Sequence, residues 1–425
     1  MALILFGVFI ALLLLGVPVA FAICSAAATT MFAGFGTAKM MIVVQRMFAS
    51  CDSFSLIAVP FFIFAGDLLA GGKISKVLVE FCESLLGMVK GGLSVVSVLA
   101  GMFFAAISGS GAATTAAVGA TLVPELKKRG YREDSAAALV AAAGTIGVVI
   151  PPSVPMVLYA VIAEESVSRL FSAGFMPGVI MGLMLIAISL YQAYKNNYPK
   201  GAPFSLKNVG KTFLKAIPGI LMPAIILGGI YWGVFTPTEA AEVGVLWTLF
   251  VGLFVYRKLT WKNISSALIR TSAFAGSATI LVGVSMAFSR LLTLYHIPQT
   301  VGAFLGSIST DPTITLLLIA FFIFLCGFVA DTLAMVVVLA PVFLPITNAL
   351  GIHPIQLGVL FVVCCETGFL TPPFGANLFI TMKITDVKLE EVALKAFPYL
   401  CTIWLLIILI AACPQLVMFL PNLLM

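Results

Sequence analysis

The stretch GTIGVVIPPSVPMVLYAVI, residues 144–162, is apolar enough to sit in a bilayer, yet Pro151 and Pro152 stand near its middle. An adjacent proline pair removes backbone donors and clashes with the preceding helical turn. A spanning helix interrupted there must satisfy its freed backbone groups by other means. Lipid offers none, so the interruption has to be buried in protein or line a wet cavity.

The rest of the chain fits that bilayer setting. Of its 425 residues, 61% are hydrophobic and 9% are charged, with a mean hydropathy of +1.17. Apolar runs of roughly 18–20 residues recur along the whole length, the signal of spanning helices. Strand barrels need alternating segments of about ten residues, and these runs are continuously apolar. The fold class is therefore an all-α polytopic membrane protein. Residues 1–23, MALILFGVFIALLLLGVPVAFAI, carry no basic leader and read as one retained first helix. The small-residue stretch CSAAA behind them is the cleavage region of the alternative, a signal peptide. The net charge of +6 reports cytoplasmic loops rather than an acidic partner, so no nucleic acid is implied. The eight cysteines are scattered through apolar segments without metal-ligand spacing and read as small hydrophobes.

Basic residues cluster at KKRGYR (127–132), between Lys195 and Lys215, and at Arg257, Lys258, Lys262 and Arg270. The positive-inside rule places all three in the cytoplasm. Segments 216–235 and 240–256 then form a helix pair with FTPTEAAE as its outside turn. A last helix, about 397–421, starts beside Lys383, Lys388 and Lys395, which puts the C-terminus on the periplasmic or extracellular side. Lys39 and Arg46 leave the orientation of residues 24–50 open.

The proline pair has a twin in CETGFLTPPFGANLFITMK, residues 365–383, at an offset of 372 − 151 = 221. At the same offset Pro124 matches Pro345, Gly130 matches Gly351, Gly147 matches Gly368 and Pro177 matches Pro398. Prolines and glycines set backbone geometry, so these coincidences say more than matched leucines. With a two-residue gap, FAGDLLAGGKI (64–74) faces AFSRLLTLYHI (287–297). The first copy is flanked by Lys90 and KKRGYR, the second by Asp311 and His353. Opposite flanking charge makes this an inverted-topology repeat.

Each copy holds a second interruption, ISGSGAATT (107–115) in the first and VADTLAM (329–335) in the second. The segments around the first, 92–107 and 112–126, are short for full spans and have cytoplasmic flanks at both ends. They read as a re-entrant hairpin tipped by Ser108, Gly109, Ser110 and Gly111. Its twin is 313–329 and 334–348, tipped by Ala330, Asp331 and Thr332. Four divisions result: an N-terminal scaffold region 1–60, and repeat 1 over 61–195 with hairpin 92–126 and broken helix 134–163. A loop and scaffold helix pair cover 196–270. Repeat 2 covers 271–425, with hairpin 313–348 and broken helix 355–383.

Helices that begin after each break aim their positive ends at a shared centre, which suits an anionic substrate. Freed carbonyls and nearby hydroxyls suit a small hard cation such as Na⁺. Asp331, ionisable within an apolar run, is a candidate for cation binding or coupling; as a hairpin-tip residue it could instead cap a helix. Ser108, Ser110, Thr114 and Thr115 could ligate by hydroxyl or serve turn geometry. Glu366 and Asn377 flank the second proline pair, and Glu366 could also pair with a cation such as Arg290. Gly109, Gly111, Gly144, Gly147 and Gly368 permit the backbone path. Gly210-Lys211-Thr212 lacks the preceding glycine and the strand context of a phosphate loop. His296 and His353 are isolated.

Taken together, ISGSGAATTAAVGATLVPELKKRGY, AAAGTIGVVIPPSVPMVLYA and ETGFLTPPFGANLF resemble the large membrane subunit of TRAP (tripartite ATP-independent periplasmic) transporters, of the DctM/SiaM-like kind. The resemblance covers essentially the whole chain. It implies a multi-pass protein of the bacterial cell inner membrane that takes up small organic acids by Na⁺ symport, through an elevator-type movement. Sialic acid, C4-dicarboxylates and keto acids are not told apart at this level. It also implies a separate small four-helix membrane subunit and a periplasmic substrate-binding protein, with lipid around the complex. The positions that match the ion region are Ser108, Ser110, Gly144, Thr145, Gly147, Asp331, Thr332, Glu366, Thr367 and Gly368, with at least two Na⁺ expected. Those matching the substrate region are Ser108, Gly109, Thr114, Pro151, Pro152, Ser153, Thr371, Pro372, Pro373 and Asn377. A passive channel is the alternative within transport. An intramembrane serine hydrolase using Ser108 or Ser110 lacks a base at a second break, so no enzymatic activity is expected.

Overall fold

The computed structural model describes residues 1–36, 40–71, 74–201, 203–328, 330–373 and 375–424. Lys39 and Val329, the latter at the start of the second expected interruption, lie outside them. Among the described residues every element is helical, apart from one isolated backbone bridge between Lys90 and Lys200. Six helices are long and apolar enough to cross a bilayer, or up to eight if two bent pairs each count as one span.

The first segment differs from the single helix expected of it. It divides into α1 (Ala2–Leu14) and α2 (Val19–Phe35), which pack on each other. The cause is local: Gly16 takes φ +79° and Pro18 is extended, a combination that ends one helix and starts another. α3 (Met40–Cys51) and α4 (Ala58–Gly71) follow, and the chain bends by 63° between them. After α5 (Ile74–Leu86) come the two arms of the first hairpin, α6 (Gly92–Ser108) and α7 (Gly111–Lys128). The opening stretch then resolves into α8 (Glu133–Thr145), a short 3₁₀ turn and α9 (Val154–Ile162), with Pro151 and Pro152 between them.

α10 (Val167–Lys195) closes the first repeat. α11 (Leu206–Tyr231) starts ten residues before the expected helix, because Ser205 caps its first turn. α12 (Pro237–Phe250) continues through a π turn to Val255. α13 (Trp261–Leu294) runs 34 residues without a break. The divisions drawn at 60/61 and 270/271 both fall inside helices, α4 and α13. Pro60 stands in the first turn of α4, where no intrahelical donor is needed, and no proline or glycine adjoins Arg270.

Beyond α13, the second repeat continues with α14 (Ile297–Ile308), bent by 117° from α15 (Pro312–Cys326). Then come α16 (Thr332–Ala349), α17 (Pro354–Gly368) and α18 (Ala376–Thr385). Asp311 and His353, the non-basic flanks of this copy, cap α15 and α17. The expected last helix is again two, α19 (Leu389–Ala412) and α20 (Pro414–Leu424), divided where Pro414 cannot continue the ladder.

Two groups of helices emerge. In one, α2, α3 and α4 pack on α13, with α12 on α4 and α5 on α11. The other gathers the hairpins and broken helices with α10, α19 and α20. Within the second group the repeats are interlocked. α9, beyond the first break, packs on α16 and α17; α18, beyond the second, packs on α7 and α8. Tyr159 marks one such crossing: fully buried, it donates its hydroxyl to the Pro354 carbonyl at 2.9 Å, and its ring lies against Gly358. Tyr159→Phe removes that bond and leaves the carbonyl only its partner within α17. A loss of about 1 kcal/mol is expected, read as a lower melting temperature of the detergent-solubilised chain. Large apolar side chains stay exposed elsewhere, among them Leu3, Phe48 and Leu246, as a lipid-facing surface requires.

Candidate functional site

At the first hairpin tip, α6 ends because Gly109 takes a left-handed φ of +60°. Ser110 is extended, and its hydroxyl accepts the Ala113 amide to start α7. The tip sits directly on the first break. Val154 donates its amide to the Gly109 carbonyl at 3.4 Å, and a Cβ on Gly109 would lie 2.7 Å from the Pro152 oxygen. Behind it, Ser108 and Thr114 share a hydroxyl hydrogen bond of 2.9 Å. Gly147 fits against the Ser110 carbonyl, the Gly111 Cα and the Thr114 hydroxyl, and Gly144 against Thr115. Thr145 turns its hydroxyl back to the Ala142 carbonyl at 2.6 Å. Ser153 caps α9 as Ser110 caps α7. Both prolines here are buried, and their peptide bond is cis.

The second tip repeats this plan. Asp331 caps α16, its carboxylate accepting the Leu333 amide at 3.0 Å. Thr332 donates to Glu366 Oε1 at 3.3 Å. Gly368, the twin of Gly147, lies against the backbone of Gly327. Thr367 and Thr371 bond to carbonyls of their own helix turn. The Pro372–Pro373 bond is also cis, but these two prolines are exposed.

Between the tips lies a cavity of about 290 Å³. Ser108 to Ala113, Val154, Pro155, Thr332 and Leu333 line it, so the first turns of α7, α9 and α16 all open onto it. Asp331 and Glu366 stand on its wall. Glu366 is 1% exposed, its Oε2 has no hydrogen-bond partner, and a Cβ on Gly111 would run into that oxygen. The far wall is Gly66, Asp67, Arg270 and Phe274 from α4 and α13. Asp67 and Arg270 form an ion pair at 2.9 Å there.

Sequence reasoning misses that pair. Arg270 reads as one more cytoplasmic charge, and Asp67 has no motif around it. The available signal is an acid and a base set inside apolar helical runs rather than at their ends. The pairing of Glu366 with Arg290 does not form: Arg290 lines a separate pocket with Arg46. The cavity brings together Ser108, Gly109, Ser110, Asp331, Thr332 and Glu366. Gly144, Thr145, Gly147, Thr367 and Gly368 pack behind it, and Thr371, Pro372, Pro373 and Asn377 do not line it. Asn377 is fully buried and donates to the Ala141 carbonyl at 3.4 Å, while its Oδ1 is unpartnered.

Chemically the cavity offers hard oxygens (hydroxyls, carbonyls, two carboxylates) and three positive helix ends. The oxygens suit a small hard cation and the helix ends an anion. Among the described residues no group of three or more His, Cys, Asp or Glu side chains converges as a metal site.

Residues 6–416 match the family described as the tripartite ATP-independent periplasmic transporter, DctM component. The isethionate TRAP transporter permease protein DctMQ of Oleidesulfovibrio alaskensis is 36% identical over 420 residues, 98% of this chain and 66% of that one. The C4-dicarboxylate TRAP transporter large permease protein DctM of Pseudomonas aeruginosa is also 36% identical, over 89% of this chain and 88% of that one. Among solved structures, the YdaH transporter of Alcanivorax borkumensis superposes with a TM-score of 0.66 at 15% identity, covering 90% of this chain and 89% of that one; this likeness concerns the fold alone. Matched along nearly its whole length, the chain belongs to the DctM component family of TRAP transporters, whose members are multi-pass transporter permeases and not enzymes.

Proposed function

We propose that the chain is the translocating subunit of a Na⁺-coupled uptake system for a small organic acid in the bacterial inner membrane. The observation that carries the reading is Glu366: a buried carboxylate with an unpartnered oxygen, facing a cavity that also holds Asp331. A charged carboxylate in such a place needs a counter-charge, and a bound Na⁺ supplies one. The first turns of α7, α9 and α16 then receive the anionic group of the acid, carboxylate or sulfonate. At least two Na⁺ are expected, one in the Ser108–Gly147 cluster and one in the Asp331–Gly368 cluster. The names of the two relatives point to isethionate and C4-dicarboxylates, and the same chemistry admits sialic acid. A periplasmic binding protein delivers the acid, and a small four-helix membrane subunit completes the complex.

In this reading the hairpins and broken helices move as a body against α4 and α11–α13, an elevator motion, with the C-terminus on the periplasmic side. Uptake into proteoliposomes holding the complex, with the binding protein outside, is expected to require a Na⁺ gradient and no ATP. Full-rate uptake in Na⁺-free medium would sink the coupling. Asp331→Ala is expected to cut uptake at least about tenfold or to uncouple it from Na⁺, with insertion unchanged. Uptake with ordinary Na⁺ dependence in that variant would leave Asp331 as a helix cap only. Calorimetric screening of acids against the binding protein identifies the substrate.

A further inference from the structure

A second polar pocket lies far from the central cavity. It holds about 340 Å³ and is lined by Arg46 and Ser50 of α3 and by Ser289, Arg290 and Thr293 of α13. No carboxylate lines it, and among the described residues neither arginine forms an ion pair. Both are exposed. The hydroxyls of Ser50 and Thr293 donate to carbonyls of their own helices, so the free donors of the pocket are the two guanidiniums and the Ser289 hydroxyl. Paired guanidiniums without a carboxylate form a fork for a phosphate.

The level of the pocket in the membrane follows from α13. Arg270 walls the central cavity, whereas Arg290 stands four residues from the end of α13 at Leu294, the end away from Arg257 and Lys258. A helix of 34 residues is about 50 Å long, more than the hydrocarbon core of roughly 30 Å, so Arg290 lies near the interface on that side. α3 is built for such a level. Met41, Val44 and Phe48, spaced as one helical stripe, are 63%, 45% and 75% exposed. Arg46, Ala49 and Ser50 form the stripe on the other side and line the pocket. α3 packs along α13, with Cys51 at Thr279 and Arg46 near Arg290, so its apolar stripe meets the acyl chains while its other side faces the pocket.

We propose that Arg46 and Arg290 form a binding site for the phosphate of an anionic phospholipid headgroup, with α3 and α13 as its two walls. Basic pockets between membrane helices take such headgroups. The lipid ties α3 to α13, the helix whose other half walls the central cavity.

The test uses the full purified chain in neutral detergent, titrated separately with phosphatidylglycerol, phosphatidylcholine and inorganic phosphate. Native mass spectrometry counts retained lipid, and thermal melting reads stabilisation. Phosphatidylglycerol is expected to be retained about thirtyfold better than phosphatidylcholine. Arg46→Gln with Arg290→Gln should remove that preference, and Arg46→Lys with Arg290→Lys should keep part of it. Unchanged helical circular dichroism keeps the glutamine variant interpretable. Equal retention of the two lipids, or a preference that survives in the glutamine variant, overturns the proposal. Stabilisation by inorganic phosphate at the same concentration as phosphatidylglycerol overturns the lipid as source and assigns the site to a free ion. Cross-linking of a photoreactive group at position 49 to a protein rather than to lipid, in native membranes, overturns it as well.

Discussion

Glu366→Gln is expected to lower Na⁺-driven uptake by on the order of a hundredfold, the cost of removing one partner from a buried charged contact. The substitution is nearly isosteric, so the protein should insert, purify and melt much as before. Its value lies in separating two accounts of the same geometry. If Glu366 sits neutral as a structural group, the amide replaces it with little consequence, because Thr332 can still donate to the remaining oxygen. If the carboxylate answers a bound cation at the hairpin tips, the amide directs a donor toward Gly111 and the counter-charge is lost. Uptake and its Na⁺ concentration dependence, measured side by side with the wild type, decide between them. Near-normal uptake would remove Glu366 from the coupling machinery.

Gly368→Ala is expected to destabilise the chain by about 3 kcal/mol or more, the upper range for overpacking, because the obstacle is backbone. A Cβ there would lie 2.7 Å from the Cα, the carbonyl carbon and the oxygen of Gly327, and no rotamer change relieves that. Gly147→Ala meets a similar wall, with the Ser110 oxygen at 2.6 Å and the Gly111 Cα at 2.8 Å. The control is Gly210→Ala in α11, where nothing lies within 4 Å. Alanine suits a helix interior better than glycine by roughly 0.5–1 kcal/mol, so that variant should melt slightly higher. Melting of the solubilised protein, followed by fluorescence-detected gel filtration, checks all three. If Gly368→Ala and Gly210→Ala behave alike, the contact with Gly327 does not limit stability.

The breaks are legible in the sequence because their causes are local. Proline pairs, the glycines around them and the short arms at 92–107 and 112–126 announce interruptions without any knowledge of what lies nearby. The structure places α6–α9 and α15–α18 within a few residues of those readings. Local signals also stand at the two ends of the chain, where length alone misleads. Gly16 with Pro18, and Pro414, divide their segments as the same rules dictate, although each apolar run is long enough for one helix. What no local signal carries is the meeting of distant side chains. Asp67 and Arg270 stand 203 positions apart, and although each lies inside an apolar helical run, nothing beside either names the other as its partner. The difference between the two proline pairs is likewise invisible in the sequence. Pro151 and Pro152 are buried because the first hairpin tip rests on them, whereas Pro372 and Pro373 are exposed, and identical dipeptides cannot report their neighbours.

The interlocking of the repeats bears on how the chain is made. The partners of α8 and α9 include α16, α17 and α18. From Glu133, which begins α8, to Pro354, which begins α17, the separation is 354 − 133 = 221 residues. At a synthesis rate of about 5–20 residues per second, that separation is roughly 11–44 s of elongation. Throughout that interval the first broken helix has left the ribosome while the surfaces that will cover it do not yet exist. Its freed backbone groups sit at the depth of the lipid with no partner from the second repeat. Production of this protein thus contains a waiting period, during which the first half depends on the insertion machinery, or on its own temporary contacts, for shelter.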